Sequence, residues 1–394
     1  MKIFRRFPFV LILIFAVVVI FGDNAVPVRA ESENGLSDSI EEMLDKLDVE
    51  ALEEYLNSLS AEQQQIFGGD VKEKLLSVLN GDFRMDYANV FSALFGLAFS
   101  DMSVLLPSFC VICAVAVLCG MLNRFKSSFA ENGTSRLIGF VCYSAVLVVV
   151  LTTLSGLIVK CTDTVVSLRG QMQAVFPVLL TLIATSGGSV SVAVYRPAVV
   201  FLSEIIVQFI ASAVFPLASM MCVLNMAGGM SGEIRLKKFS AFFASVIKWG
   251  LGIALTAFTV FLSVQGITSA TYDGLSFKAA KYAVSNSVPI IGGFLGSGFD
   301  LVAAGSVLIK NSVGSCALIL LTCVIVVPLI RLIAYNLFLK LSAAVVEPIG
   351  DPVISDFLAS LSGTMNYFTA GLLAVGFMYF VTLLLLICSS NALF

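Results

Sequence analysis

Long apolar runs separated by short polar connections fill the chain from about residue 90 to its end. A helix needs roughly 20 residues to cross a bilayer, and each run can be judged against that length. The runs are Val104–Leu122, Leu137–Val159, Met172–Ala184, Pro197–Leu224, Trp249–Ile267, Pro289–Ile309, Val313–Ile330 and Phe368–Cys388. The pattern predicts an all-α, polytopic membrane protein with about seven transmembrane helices, the range being six to eight.

The first 30 residues have the layout of a secretory signal peptide. A positively charged start, Lys2 to Arg6, precedes a short apolar run, Phe7 to Phe21. Small residues at Val28 and Ala30 predict cleavage between Ala30 and Glu31. The alternative is an uncleaved anchor helix, and both interpretations put residue 31 outside the cytoplasm.

Residues 31–90 differ from the rest of the chain in charge. They contain 15 acidic and 4 basic residues, and apolar residues recur at helical spacing from Leu36 to Leu59. We expect a small extracytoplasmic helical segment that rests on the membrane or on a partner, although a loosely ordered acidic leader is the alternative. The predicted parts are therefore residues 1–30, 31–90 and a multi-pass membrane domain, 91–394.

Basic residues should mark the cytoplasmic loops. Val104–Leu122 then enters the cytoplasm, where one basic cluster follows it; a second cluster follows Pro197–Leu224. The first consists of Arg124, Lys126 and Arg136, and the second of Arg235, Lys237, Lys238 and Lys248. If every run crosses once, the second cluster lands outside. Either Met172–Ala184 is a re-entrant hairpin, or Pro197–Leu224 is broken near Pro216.

Between Arg331 and Tyr367 charged residues interrupt the apolar pattern. Pro348 and Pro352 are expected to break the helix there. The pattern favours an interfacial element or a loop between Val313–Ile330 and Phe368–Cys388.

Composition excludes several classes of protein. Hydrophobic residues make up 58% of the chain and charged residues 12%, about half the charge of a soluble protein. No basic patch with interleaved aromatic residues points to nucleic acid, and no glycine-rich phosphate loop points to a nucleotide. The chain has no histidine, the commonest metal ligand and general base. We expect no catalytic, cofactor or metal site, and no enzyme.

Polar residues inside the irregular apolar runs are the candidate functional positions. Glu204 stands in an apolar run with Gln208 one turn later. Such a carboxylate lines a cavity or pairs with a neighbouring helix, and both interpretations stay open. Gly292 and Gly296 permit close helix packing or a broken helix that holds a substrate, with Asp300 nearby.

The order of several short segments along nearly the whole chain resembles one known family. The segments are Gly81-Asp82-Phe83, Tyr195-Arg196-Pro197 through Glu204-Ile205-Ile206, Asp273-Gly274-Leu275 through Lys278-Ala279-Ala280-Lys281, Val288-Pro289-Ile290-Ile291-Gly292-Gly293, Lys310-Asn311-Ser312-Val313-Gly314 and Glu347-Pro348-Ile349-Gly350-Asp351. Their layout resembles the stage III sporulation protein AE family of endospore-forming bacteria. The resemblance implies a polytopic protein, made in the mother cell, in the membrane around the engulfed forespore.

The resemblance also implies a function. Members of this family belong to an assembly that connects mother cell and forespore, and they have no established catalytic residues. We therefore expect a non-enzymatic component of a channel or secretion-like complex, in contact with the lipid bilayer and with other stage III subunits. The alternative is a secondary transporter with a midplane site around Glu204 and residues 289–300. A transporter should show internal repeats, and none is evident in the sequence.

Overall fold

A computed structural model describes residues 105–122, 132–186, 201–230, 236–287, 292–348 and 352–388, together with residues 54, 55, 57, 96 and 103. Six helices in these ranges are long and apolar enough to cross a membrane, and the described residues include no strand. The helices are α1 (Leu105–Leu122), α2 (Asn132–Thr185), α3 (Phe201–Met230), α4 (Lys237–Ser287), α5 (Gly292–Val346) and α6 (Pro352–Cys388). The all-α prediction is confirmed, and six falls within the expected range.

Two pairs of runs that were expected to cross separately lie on single helices. Leu137–Val159 and Met172–Ala184 are both part of α2, while α5 combines most of Pro289–Ile309 with Val313–Ile330. The polar connection within α2, residues 160–171, contains one glycine and no proline. Polarity alone does not end a helix, because its backbone hydrogen bonds form regardless of side-chain charge.

Protein, rather than lipid, covers the last part of α2. From Gln171 to Ile183 the helix is buried on nearly every side, and Val175, Leu179 and Ile183 are at most 1% exposed. Its high hydrophobicity therefore reflects a place in the protein core. Hydropathy alone does not distinguish such a segment from a lipid-facing span.

Contacts between side chains fix the relative direction of the helices. α2 and α5 are antiparallel, since Gln171 Nε2 donates to the Ala317 carbonyl at 3.0 Å and Tyr335 Oη to that of Val150 at 3.4 Å. Two contacts orient each of the other helix pairs. They are Tyr143–Met226 and Arg169–Glu204 (α2 and α3), Phe209–Gly250 and Gly228–Leu236 (α3 and α4), Lys237–Asp356 and Lys248–Tyr367 (α4 and α6), Asn336–Asn366 and Ile325–Gly376 (α5 and α6), and Phe109–Phe338 and Cys113–Ser342 (α1 and α5). The six helices alternate in direction along the chain.

Because the helices alternate in direction, the second basic cluster lies at the same end of the bundle as the first, as the positive-inside rule requires. The α1–α2 and α3–α4 connections lie at the same end of the bundle, so Arg136 and Lys237 are at one end, here called the basic end. Neither a re-entrant hairpin nor a break near Pro216 is needed, because α2 takes both of its apolar runs in one direction. The positive-inside rule then assigns the basic end to the cytoplasm.

Helix α6 occupies the centre of the bundle, in contact with α2, α3, α4 and α5. Its fully buried side chains include Leu358, Leu361, Met365, Phe368, Leu372, Val375, Tyr379 and Leu383. Glycines allow the neighbouring helices to approach α6 closely. A Cβ atom at Gly371 would lie 2.7 Å from the Phe215 ring, and one at Gly376 would collide with Ile325.

Prolines shape two other parts of the bundle. α3 contains a π-helical segment, Ile210–Val214, directly before Pro216, and the Phe215 N–H bonds to the Ile210 carbonyl. Proline lacks an N–H and crowds the preceding turn, and the wider π turn accommodates it without breaking the helix. α5 ends at Val346 and α6 begins at Pro352, so the predicted break is present. The expected interfacial element, however, is the end of α5 and the start of α6.

We expect Gly371→Ala to lower stability, although alanine favours helix more than glycine by about 1 kcal/mol. The added methyl group meets the Phe215 ring, and overpacking of this kind costs about 1–3 kcal/mol. Thermal unfolding of the purified protein in detergent measures the change. Gly156→Ala in α2 is the matched control, since a Cβ there has nothing within 4 Å, and it should be neutral or slightly stabilising. Equal effects of the two substitutions would contradict the packing described for α6.

Single cysteines in a cysteine-free background should report the side of each connection. A cysteine at Ser189, between α2 and α3, should react with an impermeant thiol reagent added outside the cytoplasmic membrane. Cysteines at Ser231 and at Val353, which is 45% exposed, should be protected until the membrane is opened. Labelling of Ser189 and Ser231 from the same side would show that α3 does not cross.

Candidate functional site

An ion pair between α2 and α3 contains Glu204, the most prominent candidate position. The Arg169 guanidinium binds the Glu204 carboxylate, and the two side chains are 39% and 35% exposed. Glu204 lies in the first described turn of α3, and Arg169 lies in the polar connection between the two apolar runs of α2. Of the two interpretations, this contact favours pairing between neighbouring helices.

The depth of this pair along α3 is not that of a midplane site. Glu204 lies 26 residues from Met230, about 39 Å along the helix at 1.5 Å per residue. The hydrocarbon core is about 30 Å thick, and even a tilt of 40° leaves the pair about 30 Å from the basic end. With Met230 taken as one membrane boundary, the partly exposed Arg169–Glu204 pair is expected at the opposite boundary rather than at the midplane.

Gln208 does not join Glu204 in an enclosed polar site. Its side chain is exposed, and its backbone carbonyl accepts a 2.6 Å hydrogen bond from Ser212 Oγ. The outward face of α3 around it also includes Phe201 and Ile205, which are 69% and 48% exposed. Glu204 and Gln208 are therefore peripheral positions in this chain.

The glycine-rich candidate segment begins α5. Gly292, Gly296 and Asp300 lie on one helix that is continuous from Gly292 to Val346. Helix α5 starts at the end of the bundle opposite the basic end. The cleavage position between Ala30 and Glu31, like residues 1–30 and most of 31–90, lies outside the described residues.

Polar contacts that the sequence did not reveal join α6 to its neighbours. Asn225 of α3 donates to Thr364 Oγ1 at 3.0 Å, and Asn336 of α5 donates to Asn366 Oδ1 at 2.8 Å. Hydrogen bonds of this kind hold helices together within a membrane. Their only sequence signal is an asparagine within an apolar run, and the partner cannot be read from it.

Tyr55, one of the described residues of the acidic segment, contacts the bundle. Tyr55 is 7% exposed, its ring lies over Gly170 of α2, and its hydroxyl is 3.1 Å from Ser167 Oγ. Burial raises the pKa of Tyr55 to about 12, and the hydrogen bond to Ser167 opposes the shift. Ser167 is 31 residues beyond Arg136 along α2, which is the far end of the bundle. An exported N-terminal segment would reach this end.

Among the described residues, no group of three or more cysteine, aspartate or glutamate side chains is arranged to hold a metal ion. Cys110 is exposed, whereas Cys113 faces α5 and lies 3.6 Å from Ser342 Oγ. Among the described residues, several polar side chains of the bundle form interhelical pairs, and none of the cysteine and carboxylate groups forms a metal-binding cluster.

Six long apolar helices of alternating direction, with basic residues at one end, define a polytopic α-helical membrane protein. Comparison with known proteins identifies the family: the chain belongs to the stage III sporulation protein AE family, whose model matches residues 70–390. It is 27% identical over 277 residues to stage III sporulation protein AE of Bacillus subtilis (strain 168), covering 70% of this chain and 69% of that protein. No solved structure matches.

A double-mutant cycle on Arg169 and Glu204 tests whether the pair serves packing. Because both side chains are about one-third exposed, their coupling in a thermal unfolding assay should be about 1 kcal/mol or less. Arg169→Gln, Glu204→Gln and the double variant should all support spore formation at a normal protein level. A carboxylate that lines a conduit would behave differently, since Glu204→Gln alone would then lower spore yield while Arg169→Gln would not.

Proposed function

We propose that the chain is a non-enzymatic subunit of the channel complex between mother cell and forespore. In this proposal it lies in the mother-cell-derived membrane around the forespore and contacts other stage III subunits. Membership of the stage III sporulation protein AE family supports the sporulation role. The six long apolar helices support a multi-pass position in the membrane.

The observation that carries the proposal is the apolar interior of the described bundle. A water-filled path through one chain needs polar or charged side chains along it. Around α6 the interior consists mainly of packed leucine, valine, phenylalanine and methionine side chains at or near zero exposure, and the buried polar side chains, Gln171 and Lys310 among them, are enclosed by this packing. A conduit would therefore form between subunits, and the chain would act as a structural part of its wall or its base.

The polar groups of the bundle also support a non-enzymatic role. Asn225 and Asn336 bind one residue each on α6, and the Arg169–Glu204 pair is open to solvent. A nucleophile needs a base and an orienting group within hydrogen-bond reach. These interhelical pairs instead hold the bundle together. A transporter site at the midplane also finds no support in Glu204, given its depth.

The purified chain reconstituted alone in liposomes should move neither ions nor small dyes above the rate of empty liposomes. Its activity should require the other stage III subunits, because the conduit would form only in the assembly. Flux assays with entrapped fluorescent dye and with potassium measure this transport. The wild-type chain and the Lys248→Met variant should both show none. Transport of a defined solute by the chain alone would replace the proposal with a secondary transporter.

A further inference from the structure

Helix α4 combines low coverage by protein with low hydrophobicity. Only 22% of its most apolar stretch is buried, against 67% for α6, yet it is the least apolar of the six helices. A helix that faces lipid on most sides should be the most apolar, because lipid offers polar groups no partner. The exposed face of α4 is therefore better suited to contact with another protein.

Lys248 is the clearest feature of this face. With the exposed Lys237–Asp356 pair taken as the membrane boundary, Lys248 lies 11 residues inside it, about 16 Å along the helix and so near the middle of a hydrocarbon core of about 30 Å. Its side chain is exposed, and its Nζ lies 5.9 Å from the centre of the Tyr367 ring. Lysines at this depth are costly and normally pair with another group.

The position of Tyr367 shows that the Lys248 ammonium group lies at the depth of its own helix position and not at the interface. α4 and α6 are parallel, and Lys237 pairs with Asp356 at 3.1 Å. Tyr367 lies 11 residues beyond Asp356, as Lys248 lies 11 residues beyond Lys237. The ammonium group therefore stays at its own depth, against an aromatic ring that attracts cations more weakly than a carboxylate does.

No carboxylate in the described part of the chain lies against Lys248. Glu204 and Asp356 are paired with Arg169 and Lys237 instead. The described carboxylates of α2 to α6 whose side chains are placed lie nearer one end or the other: Asp163, Glu204, Glu347 and Asp356. A second copy of this chain, packed side by side, would bring none of them to the depth of Lys248.

Open space flanks Lys248 on both helices. Gly363 of α6 and Gly252 of α4 are both exposed, and a Cβ atom at either would have nothing within 4 Å. Gly363 lies one turn before Tyr367, and Gly252 lies one turn after Lys248. Glycines without neighbours permit the backbone of another helix to approach closely.

We propose that the groove formed by Lys248, Gly252, Gly363 and Tyr367 binds a transmembrane helix of a different protein. That helix carries an aspartate or glutamate in its apolar span, at the depth of Lys248. The carboxylate forms a charge-assisted hydrogen bond with the Lys248 ammonium, and the partner helix packs over the two glycines. This surface goes beyond the proposed channel role and does not depend on it.

The test places a photoreactive amino acid at Trp249, which is 73% exposed, in the full chain in membranes of sporulating cells. Irradiation should yield an adduct with another membrane protein whose crosslinked helix contains a carboxylate. Lys248→Met should lower the yield about tenfold, since loss of one buried charge partner costs at least that factor. Lys248→Arg should retain the adduct, and Lys238→Met, which removes an interfacial charge, is the matched control.

Two further variants separate binding from folding. Gly363→Leu should fill the groove and lower the adduct yield without a change in the amount of the chain in the membrane. Lys248→Glu should lose the adduct and regain it when the partner's carboxylate is replaced by lysine. Adducts with lipid only, with a second copy only, or with residues 1–100 of the same chain would overturn the proposal. So would a yield that Lys248→Met leaves unchanged. If a variant fails to accumulate, the identity of the helix that is crosslinked to the wild-type chain still tests the proposal.

Discussion

The burial of one continuous side of α6 is the constraint on which the rest of the bundle depends. This helix touches four others, and Phe368, Leu372 and Val375 have no exposed surface. In a bilayer, apolar surface alone does not drive two helices together, so close packing and interhelical hydrogen bonds must do so. Gly371 and Gly376 supply the close packing, while Thr364 and Asn366 supply hydrogen bonds. Once four helices pack against α6, the faces that they turn away from it, toward lipid or another protein, are determined as well.

The sequence alone predicts the apolar helices and the break before Pro352, because both follow from local residue patterns. It was not sufficient for the length of α2 and α5. Residues 160–171 are polar, and a polar stretch between two apolar runs was interpreted as a loop. Without a proline or a pair of glycines the helix simply continues. The burial of Val175 and Leu179 follows from contacts with distant segments, which hydropathy does not encode.

For the candidate functional positions, too, local sequence shows part of the picture and only the fold shows the rest. Glu204 was recognisable as unusual because a carboxylate in an apolar run is rare. Its partner, Arg169, is on another helix, and only the register of α2 against α3 brings the two together. Lys248 was grouped with the basic residues around Lys237, since it follows them closely in sequence. Its depth became evident only once α4 was seen to start at Lys237, which puts three turns of helix between them.

The polar residues of the bundle fall into two groups that differ in what satisfies them. Asn225, Asn336 and Gln171 donate to groups on other helices of the same chain, while Gln171 Oε1 and Asn336 Oδ1 are buried and accept no hydrogen bond from the described residues. Lys248 faces outward at a depth where lipid offers no anion, and the described part of the chain gives it an aromatic ring and no carboxylate. In our proposal the counterion comes from the helix of another protein. Interior polar groups that donate to other helices of the chain, together with an outward charge without a counterion among the described residues, suit a subunit of a membrane assembly.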